Sequence, residues 1–571
     1  MHTAELDPEV ARHVRTPFDQ AVRLMRRQPA LPEQAEPLLL QLLATTPHDV
    51  PAWHLLQRSL RLQWRFDEAL AAAQRGLTEA LAQLPLRAEL VAAMHEACSQ
   101  SLADLGQPAA ALVEAYEALA LAPENGDFKR QLAQALLLGG DWPDGFALYC
   151  AARVAQPGLL TPVTGEPPWP LWRGEVPAAD DALLVIADQE LGDTLQFVRG
   201  LLALRDRFAR VTLLCQPDTQ RLLQHSLGPC VECVALAPDL VRERNTPSWQ
   251  WHVPLLSLPA ILAYTPQTLP ACVPYLFTEP RSMRAWGERL AQHEAALGGR
   301  RLRVGLVWAD QPRPHLPDME RRRSVALRLL APLLARTDVL WLSLQQGASR
   351  LAELADLDVA LRPLPWSAKC RDLAETAALA ANLDLIISAD SSVAHLLGAM
   401  GRPVWLLNRF ESEWRWLWRR EDSPWYPTMR IFSQTRFGDW ANVVDRVDRA
   451  LDALQRARVR CDPTNAARAL QASAEQREAG RLEQAEEACR LALTLAPQWA
   501  QAHFRLGTVL RERGRPGQAE ASFRQALCLQ TDSADAAGSL AQLLLAQGRC
   551  NEAEVYACQV LGCPGQRWRV V

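Results

Sequence analysis

The chain of 571 residues is poor in lysine, in net charge and in long apolar runs. Lysine occurs only at Lys129 and Lys369, and the formal net charge is −4 at pH 7. A charge so close to neutrality argues against binding to nucleic acid or to an anionic membrane surface. No apolar run reaches the roughly 18 residues that a membrane-spanning helix needs, and no secretory signal pattern is present. We therefore expect a cytoplasmic protein without a membrane span.

Cysteine is present, but its positions form no framework of disulfides or metal ligands. The 13 cysteines are odd in number and scattered along the chain, as is typical of buried thiols in a reducing compartment. Cys230 and Cys233 form one CxxC pair, but no second pair or nearby histidine completes a zinc site. We expect no bound metal.

A period of 34 residues recurs in the C-terminal part of the chain. The recurring positions are Gly480, Gly514 and Gly548 and, in the second half of each unit, Ala485, Ala519 and Ala553. Each unit predicts two helices joined by a glycine turn, and this register resembles the tetratricopeptide repeat. Stacked helix pairs of this kind form a groove that usually holds a peptide or another protein.

The N-terminal 160 residues carry the same pattern less regularly. Gly106 and Gly140 are again 34 positions apart, and Trp53 stands at a first-helix position. The spacing breaks before Gly106, so one repeat is lengthened or degenerate. Repeats and a plain helical bundle both remain open for this end.

The middle of the chain alternates between strand and helix patterns, which is typical of parallel sheets with crossover helices. The predicted strands are 182–188, 211–217, 303–309, 339–345, 383–388, 403–407 and 429–434. They fall into two groups, so the simplest architecture is two doubly wound, Rossmann-like α/β lobes with a cleft between them. The predicted domains are helical repeats 1–160, a Pro- and Trp-rich linker 161–177, lobes 178–290 and 291–458, and C-terminal repeats 459–571.

The segment 388–407 predicts a phosphate-binding turn between two buried strands. Asp390, Ser391 and Ser392 follow an apolar strand and begin a helix that Gly401 ends. The N–H groups and dipole of a helix N-terminus favour a phosphate. An ordinary crossover with a serine cap is the equally simple alternative.

Two further segments place charged residues after strands that reach the same cleft. Asp193 follows Gly192 at the start of a predicted helix, where it is either a helix cap or a base that removes a proton from a substrate hydroxyl. The second segment contains His315, Asp318 and the cluster 321–323 of three arginines. Such clusters are usually solvated surface, but one placed here could bind a diphosphate.

These motifs occur in one order, and together they carry a resemblance. They are PLWRGE (170–175), LGDTLQFVR (191–199), the HxxD and RS elements of 315–324, SLQ (343–345), ADSSVAHLLGAMGRPVW (389–405), EWRWLWRREDSPWYP (413–427) and FGDW (437–440). The ordered set resembles the bacterial tetratricopeptide-repeat glycosyltransferases, which have a two-lobed GT-B body. These enzymes are related to ADP-heptose-type heptosyltransferases and distantly to protein O-GlcNAc transferases. The resemblance covers about 166–450 in the body and extends to the repeats.

The resemblance implies a site for a nucleotide-sugar donor and an inverting, metal-independent transfer. It makes Asp193 the general base, Arg323 a ligand of the donor phosphates, and Gln345 a neighbour of the nucleotide. The remaining donor-binding residues that it implies are Asp390, Ser391, Ser392, Val393 and His395. No cofactor is expected beyond the donor, which is a substrate.

The sequence also departs from the family pattern. Glu190 stands where relatives typically have glycine, and Ala309–Asp310 replaces a pair of small residues. A second carboxylate beside Asp193 would either tune the base or crowd a site that has lost its activity. Residues that would modulate the site are Glu190, Gly192, His315 and Asp318.

Three functions therefore stay open. The first is a glycosyltransferase whose repeats hold a protein or peptide acceptor. The second is a glycosyltransferase that acts on a lipid-linked or surface polysaccharide. The third is a non-catalytic repeat scaffold with a degenerate sugar-nucleotide core. The aromatic residues of 413–427 are expected to pack beneath the surface rather than line an acceptor path, and an oligomer is compatible with the sequence.

Overall fold

The computed structural model describes residues 8–550 except 155–168, 188, 205–206, 229–230, 237–248, 267, 270–272, 300, 312–316, 461–462, 497–498 and 531–532, together with 553 and 556–557. Helices open and close this described part, and two parallel sheets lie between them.

Eight helices open the described part of the chain and pair as four antiparallel hairpins. They are α1 Pro8–Met25, α2 Pro32–Thr45, α3 Val50–Leu62, α4 Phe66–Ala82, α5 Ala88–Asp104, α6 Pro108–Leu121, α7 Gly126–Gly139 and α8 Trp142–Val154. Side-chain caps begin two of them: Asp49 accepts a hydrogen bond from the Ala52 N–H at 3.2 Å, and Asn125 accepts one from the Asp127 N–H at 2.9 Å.

The turns within these hairpins explain the broken period. Gly106 and Gly140 have φ of 70° and 91°, the left-handed conformation that glycine adopts without steric cost. Trp64 occupies the matching turn between α3 and α4 with φ of 61°. The turns at Trp64 and Gly106 are 42 positions apart rather than 34. Helices α4 and α5 between them have 17 residues each, against 14 in α6 and α7, so this repeat is lengthened.

The first lobe contains a four-stranded parallel sheet in the order β3-β2-β1-β4. Its strands are β1 Ala182–Ile186, β2 Arg210–Cys215, β3 Val231–Ala235 and β4 Trp251–Pro254. The helices of this part are α9 Leu191–Phe197, α10 Pro217–Leu227, α11 Leu258–Ile261 and α12 Pro280–Ala296.

The second lobe contains a five-stranded parallel sheet in the order β6-β5-β7-β8-β9. Its strands are β5 Leu302–Val307, β6 Val339–Ser343, β7 Leu385–Ala389, β8 Val404–Asn408 and β9 Met429–Ser433. The helices are α13 Pro317–Arg323, α14 Ala331–Leu334, α15 Ala348–Ala352, α16 Leu373–Ala380, α17 Ser392–Ala399 and α18 Trp440–Arg460. The prediction of two α/β lobes with parallel sheets and flanking helical repeats is confirmed.

The C-terminal helices form stacked hairpins, as the 34-residue period predicts. They are α19 Pro463–Glu478, α20 Leu482–Leu495, α21 Ala500–Glu512, α22 Pro516–Leu529 and α23 Ala534–Ala546. The turn glycines Gly480, Gly514 and Gly548 have φ of 75°, 70° and 76°. The recurring alanines Ala485 and Ala519 are completely buried. They are alanines because only a small side chain fits where two helices of a pair cross closely.

One apolar core joins the last N-terminal hairpin to both lobes. Trp142 of α8 stacks on Trp425 of the second lobe with ring centroids 4.4 Å apart. Phe146 of α8 lies edge-on to Phe197 of the first lobe and to Trp414 of the second. The lobes are therefore held against each other by the repeat that precedes them.

The predicted domain limits stay predictions. Helix α12 runs across the limit at 290, and helix α18 runs across the limit at 458. Among the helices that the structure describes, none combines the length and the hydropathy needed to cross a membrane.

Candidate functional site

The candidate site lies between the lobes, where loops follow the C-terminal ends of the strands. Asp193 opens α9 after β1, and Arg323 ends α13 after β5. Asp390 follows β7, and Arg415 lies in the connection between β8 and β9. Because parallel strands end at one edge of a sheet, these loops meet.

Asp193 is buried and bound by a guanidinium group from the opposite lobe. Its Oδ1 accepts a hydrogen bond from Arg415 Nη2, and a second guanidinium nitrogen of Arg415 donates to Glu413. Arg415 also lies over the ring of Trp414, 4.2 Å from the centroid. Burial raises the pKa of Glu413 above its ordinary value although Arg415 opposes the shift.

Arg323 is the second guanidinium group of the site. Its Nε lies 3.5 Å from Asp390 Oδ2, and its Nη1 lies 3.7 Å from Asp310 Oδ2. Burial disfavours the charged form of Asp390, but Arg323, His395 and Arg409 outweigh it and hold the pKa of Asp390 below its ordinary value. At neutral pH, Asp390 and Arg323 therefore face each other as ions.

His395 is buried in α17 beside the first lobe. Its ring stacks on Trp416 with centroids 4.9 Å apart, and its Nδ1 lies 2.9 Å from the Tyr426 hydroxyl. Burial first, and then Arg415, lower the pKa of His395 to about 4, so the ring is neutral at pH 7. A Cβ on Gly192 would lie 3.0 Å from the His395 ring, and glycine at this position therefore allows the two lobes to approach closely.

The predicted phosphate-binding turn has the backbone of a helix N-terminus. Ser391 is extended, with φ of −149°, and precedes the first residue of α17 without capping it through its side chain. Its Oγ lies 3.0 Å from Ser388 Oγ. The first N–H groups of an α-helix have no partner within the helix, and here Ser392 and Val393 provide them.

The other predicted site residues have different surroundings. Gln345 is buried and its amide binds the backbone at the end of β5: Nε2 donates to the Ala309 carbonyl at 2.9 Å, and Oε1 accepts from the Trp308 N–H at 3.1 Å. Glu190 is exposed immediately before α9. His315 lies outside the described residues.

The three arginines of α13 act separately. Arg321 lies over the ring of Trp64, 4.3 Å from the centroid. Arg322 donates to Asp104 of α5 at 2.6 Å and pairs with Asp318 at 2.8 Å. The contacts of Arg321 with Trp64 and of Arg322 with Asp104 bind the second lobe to the N-terminal repeats. Diphosphate binding by the arginine cluster stays a prediction. Arg323 alone of the three has its charge directed at the carboxylates described above.

Asp318 also belongs to this junction. It accepts a hydrogen bond from Trp64 Nε1 at 2.8 Å. A cleft of about 630 Å³ lies on this side of α13 and is lined by Trp64, Arg322, Phe437 and Ala309, among others. It therefore runs from the N-terminal repeats towards the end of β5.

Sequence reasoning missed Arg415 and Glu413. The aromatic residues around them were expected to pack, and Trp414, Trp416, Trp425 and Tyr426 are indeed buried. Charged residues alternate with tryptophan in 413–416, and this pattern could have indicated them. A charge within a buried aromatic run needs a partner of opposite charge.

Comparison with known proteins finds a family model for the C-terminal repeats and one distant curated relative. Residues 510–557 match the family model of the tetratricopeptide repeat. Protein FlbA of Caulobacter vibrioides is 25% identical over 373 residues, which are 61% of this chain and 59% of that protein. The chain thus spans less than two thirds of the length of this curated relative.

The similar solved structures include glycosyltransferases. The structure of E. coli ADP-heptose LPS heptosyltransferase II has a TM-score of 0.34 and 16% identity, with 48% of this chain and 98% of that chain covered. A mutant of Thermobaculum terrenum O-GlcNAc transferase has a TM-score of 0.27 and 16% identity, with 96% of this chain and 100% of that chain covered. The proteins to which this chain is similar thus include both tetratricopeptide-repeat proteins and glycosyltransferases.

Proposed function

We propose that the protein is a glycosyltransferase that moves a sugar from a nucleoside diphosphate to a hydroxyl group. The observation that carries this proposal is the meeting of Asp193, Arg323 and the N-terminus of α17 at the strand ends of two lobes. A carboxylate, a guanidinium group and helix N–H groups are what a reaction with a hydroxyl nucleophile and a diphosphate leaving group requires.

The proposed step is a single displacement at the anomeric carbon. The acceptor oxygen attacks that carbon and forms a new C–O bond, while the bond to the diphosphate oxygen breaks and its electron pair leaves with the diphosphate. The hydroxyl proton passes to the Asp193 carboxylate. Attack from the face opposite the leaving group inverts the configuration.

Arg323 and the N–H groups of Ser392 and Val393 stabilise the leaving group. Negative charge grows on the diphosphate as the bond breaks, so these donors bind the transition state more tightly than the ground state. We propose on this ground that no metal ion is required. EDTA should leave turnover unchanged. Loss of turnover after EDTA, with recovery on addition of Mg²⁺, would contradict metal independence.

A protein acceptor is the substrate that the architecture favours. Repeats lie at both ends of the body, and the cleft lined by Trp64 and Phe437 extends from the N-terminal repeats to Ala309 at the end of β5. An extended protein segment held by the repeats would reach the lobes along this cleft. Transfer of labelled sugar to components of a cell extract tests for a protein acceptor. Label that a protease releases supports a protein acceptor, and label that is extracted with lipids supports a lipid-linked acceptor.

The proposal is tested with the purified full chain and a panel of nucleotide sugars. Release of a nucleoside diphosphate should fall by about 10²–10⁴-fold in Asp193→Ala, as expected for a general base, with nucleotide binding retained. Asp445→Ala, which removes an exposed carboxylate on α18, is the matched control. A folded wild-type chain that binds no nucleotide would support the scaffold instead.

A further inference from the structure

Arg415 engages one oxygen of the carboxylate that is the proposed base. Asp193 Oδ1 accepts a charge-assisted hydrogen bond from Arg415 within a buried ion pair, in place of the hydrogen bond that it would accept from the substrate hydroxyl. Such bonds are among the strongest in proteins. For Oδ1 to take the hydroxyl proton, Arg415 has to leave it before the reaction.

A destination for Arg415 lies within the same cluster. Arg415 lies close enough to Arg323 for its positive charge to disfavour the charged form of Arg323. Asp390 attracts both guanidinium groups. Two guanidinium groups that converge in a buried site repel each other unless anions separate them. At present Asp193, Glu413, Asp390 and Asp310 do so, and a diphosphate would supply two further negative groups at the same place.

Arg415 keeps contacts within its own lobe that do not depend on Asp193. Its guanidinium lies over the ring of Trp414, and Glu413 binds it from the neighbouring turn. Trp414 is itself buried against Phe146 and Phe197. The guanidinium therefore has two contacts within the second lobe, with Trp414 and Glu413, while only the bond from Nη2 to Asp193 crosses to the first lobe.

We propose that Arg415 is a donor-binding residue that holds Asp193 in the unliganded protein and moves to the diphosphate when the donor binds. The inference rests on the proposed function and adds a mechanism to it. Binding of the donor releases the carboxylate, so the base becomes available only when a sugar is present to be transferred. Arg415 then stands beside Arg323 against the charge that develops on the leaving group.

Two substitutions test this exchange through the binding of ADP, GDP and UDP to the full chain, measured by calorimetry. Arg415→Ala should weaken the nucleotide that binds wild type by about tenfold or more, the loss expected for one charge-assisted hydrogen bond. Asp193→Asn should tighten the same nucleotide by several-fold, because Arg415 no longer has a charged competitor.

The matched control is Arg221→Ala. Arg221 of α10 donates to Asp372 of the second lobe at 2.9 and 2.8 Å, so its loss also removes an ion pair between the lobes. Nucleotide affinity should stay at the wild-type value in this variant. If Arg415→Ala is too unstable to study, Asp193→Asn gives the decisive comparison by itself.

The outcomes are distinct. Wild-type binding with unchanged affinity in Asp193→Asn and in Arg415→Ala would overturn the exchange and leave the glycosyltransferase proposal standing. Failure of the wild-type chain to bind ADP, GDP and UDP and to release a nucleoside diphosphate from any nucleotide sugar would overturn both.

Discussion

The ring of His395 lies at the centre of the inter-lobe cluster, between Trp416 and Tyr426. Its pKa of about 4 in the folded chain compares with 6.5 for the unperturbed side chain. The unfolded chain therefore binds a proton first as the pH falls. Stability should accordingly be lost from pH 6.5 downwards, and the loss should be complete near pH 4.

This linkage gives the first prediction. Between pH 6.5 and 5 the free energy of unfolding should fall by about 2 kcal/mol through His395, as measured by urea denaturation. His395→Gln keeps a polar partner for Tyr426 but does not titrate, so its stability should change less over this interval. An equal decline in both proteins would assign the pH dependence to other groups.

The second prediction concerns the closeness of α17 to the aromatic segment. A Cβ on Gly398 would lie 2.6 Å from Cγ of the buried Tyr426 ring, which has no free space to move into. Gly398→Ala should therefore destabilise the protein by about 1–3 kcal/mol through overpacking.

Thermal unfolding can check this prediction against a second glycine substitution. Gly139 ends α7, and an added Cβ would meet no atom within 4 Å. Gly139→Ala should be neutral or slightly stabilising, because alanine is the better helix former. Equal losses in the two variants would show that crowding against Tyr426 is not the cause.

Sequence reasoning placed several side chains of the site but not their pairing. Asp193, Arg323 and His395 follow strands or open helices in recognisable motifs, and the fold brings all three to one cluster. Arg415 was not found, because its partner is 222 positions away and nothing local marks a pair between lobes. Whether these residues act as proposed stays a prediction.

Among helices, an ion-pair ladder stabilises the C-terminal repeats. Glu520 of α22 is almost fully buried and accepts hydrogen bonds from Arg524 at 3.0 Å and from Arg549 at 2.5 and 2.8 Å. Glu486 binds Arg515 one 34-residue unit earlier at 3.0 Å. The same Glu–Arg contact thus joins neighbouring repeat units along the array.

The third prediction is that this contact stabilises the array. Glu520→Ala leaves two largely buried guanidinium groups without their carboxylate, which should cost roughly 3–5 kcal/mol. Hydrogen exchange of α21–α23 should report the loss. Glu483→Ala removes the exposed Glu483–Arg513 pair and should cost about 1 kcal/mol or less. Comparable protection in both variants would contradict a structural role for the buried pair.

The strands show where pattern reading of elements succeeds and fails. The predicted strands such as 383–388 are apolar runs buried on both faces, and the structure has β7 there. Strands β3 and β4 were not predicted, because Glu232 interrupts the first and His252 and Pro254 interrupt the second. Both lie at the edges of their sheet, where one unpaired side tolerates polar residues and proline.

In the assembled chain, the two sets of repeats relate differently to the lobes. Helix α8 contributes Trp142 and Phe146 to the core that both lobes share. The C-terminal hairpins have apolar cores of their own, and α22 reaches the body at its surface, where Arg524 lies 5.8 Å from the ring of Phe277. The N-terminal repeats are thus a structural part of the body, which no sequence period could indicate.

This difference gives the last prediction. Trp142→Ala removes the ring that stacks on Trp425, and a buried tryptophan replaced by alanine typically costs about 3–5 kcal/mol. Because Trp425 also lies edge-on to Phe197 of the first lobe, the loss should loosen both lobes, so hydrogen exchange should rise in β1 and in β7. Trp499→Ala, which trims a half-buried tryptophan in the C-terminal repeats, should raise exchange only in α19–α21. If Trp142→Ala raised exchange in the N-terminal helices alone, the repeats and the lobes would unfold independently, and the shared core would not be the element that holds the lobes together.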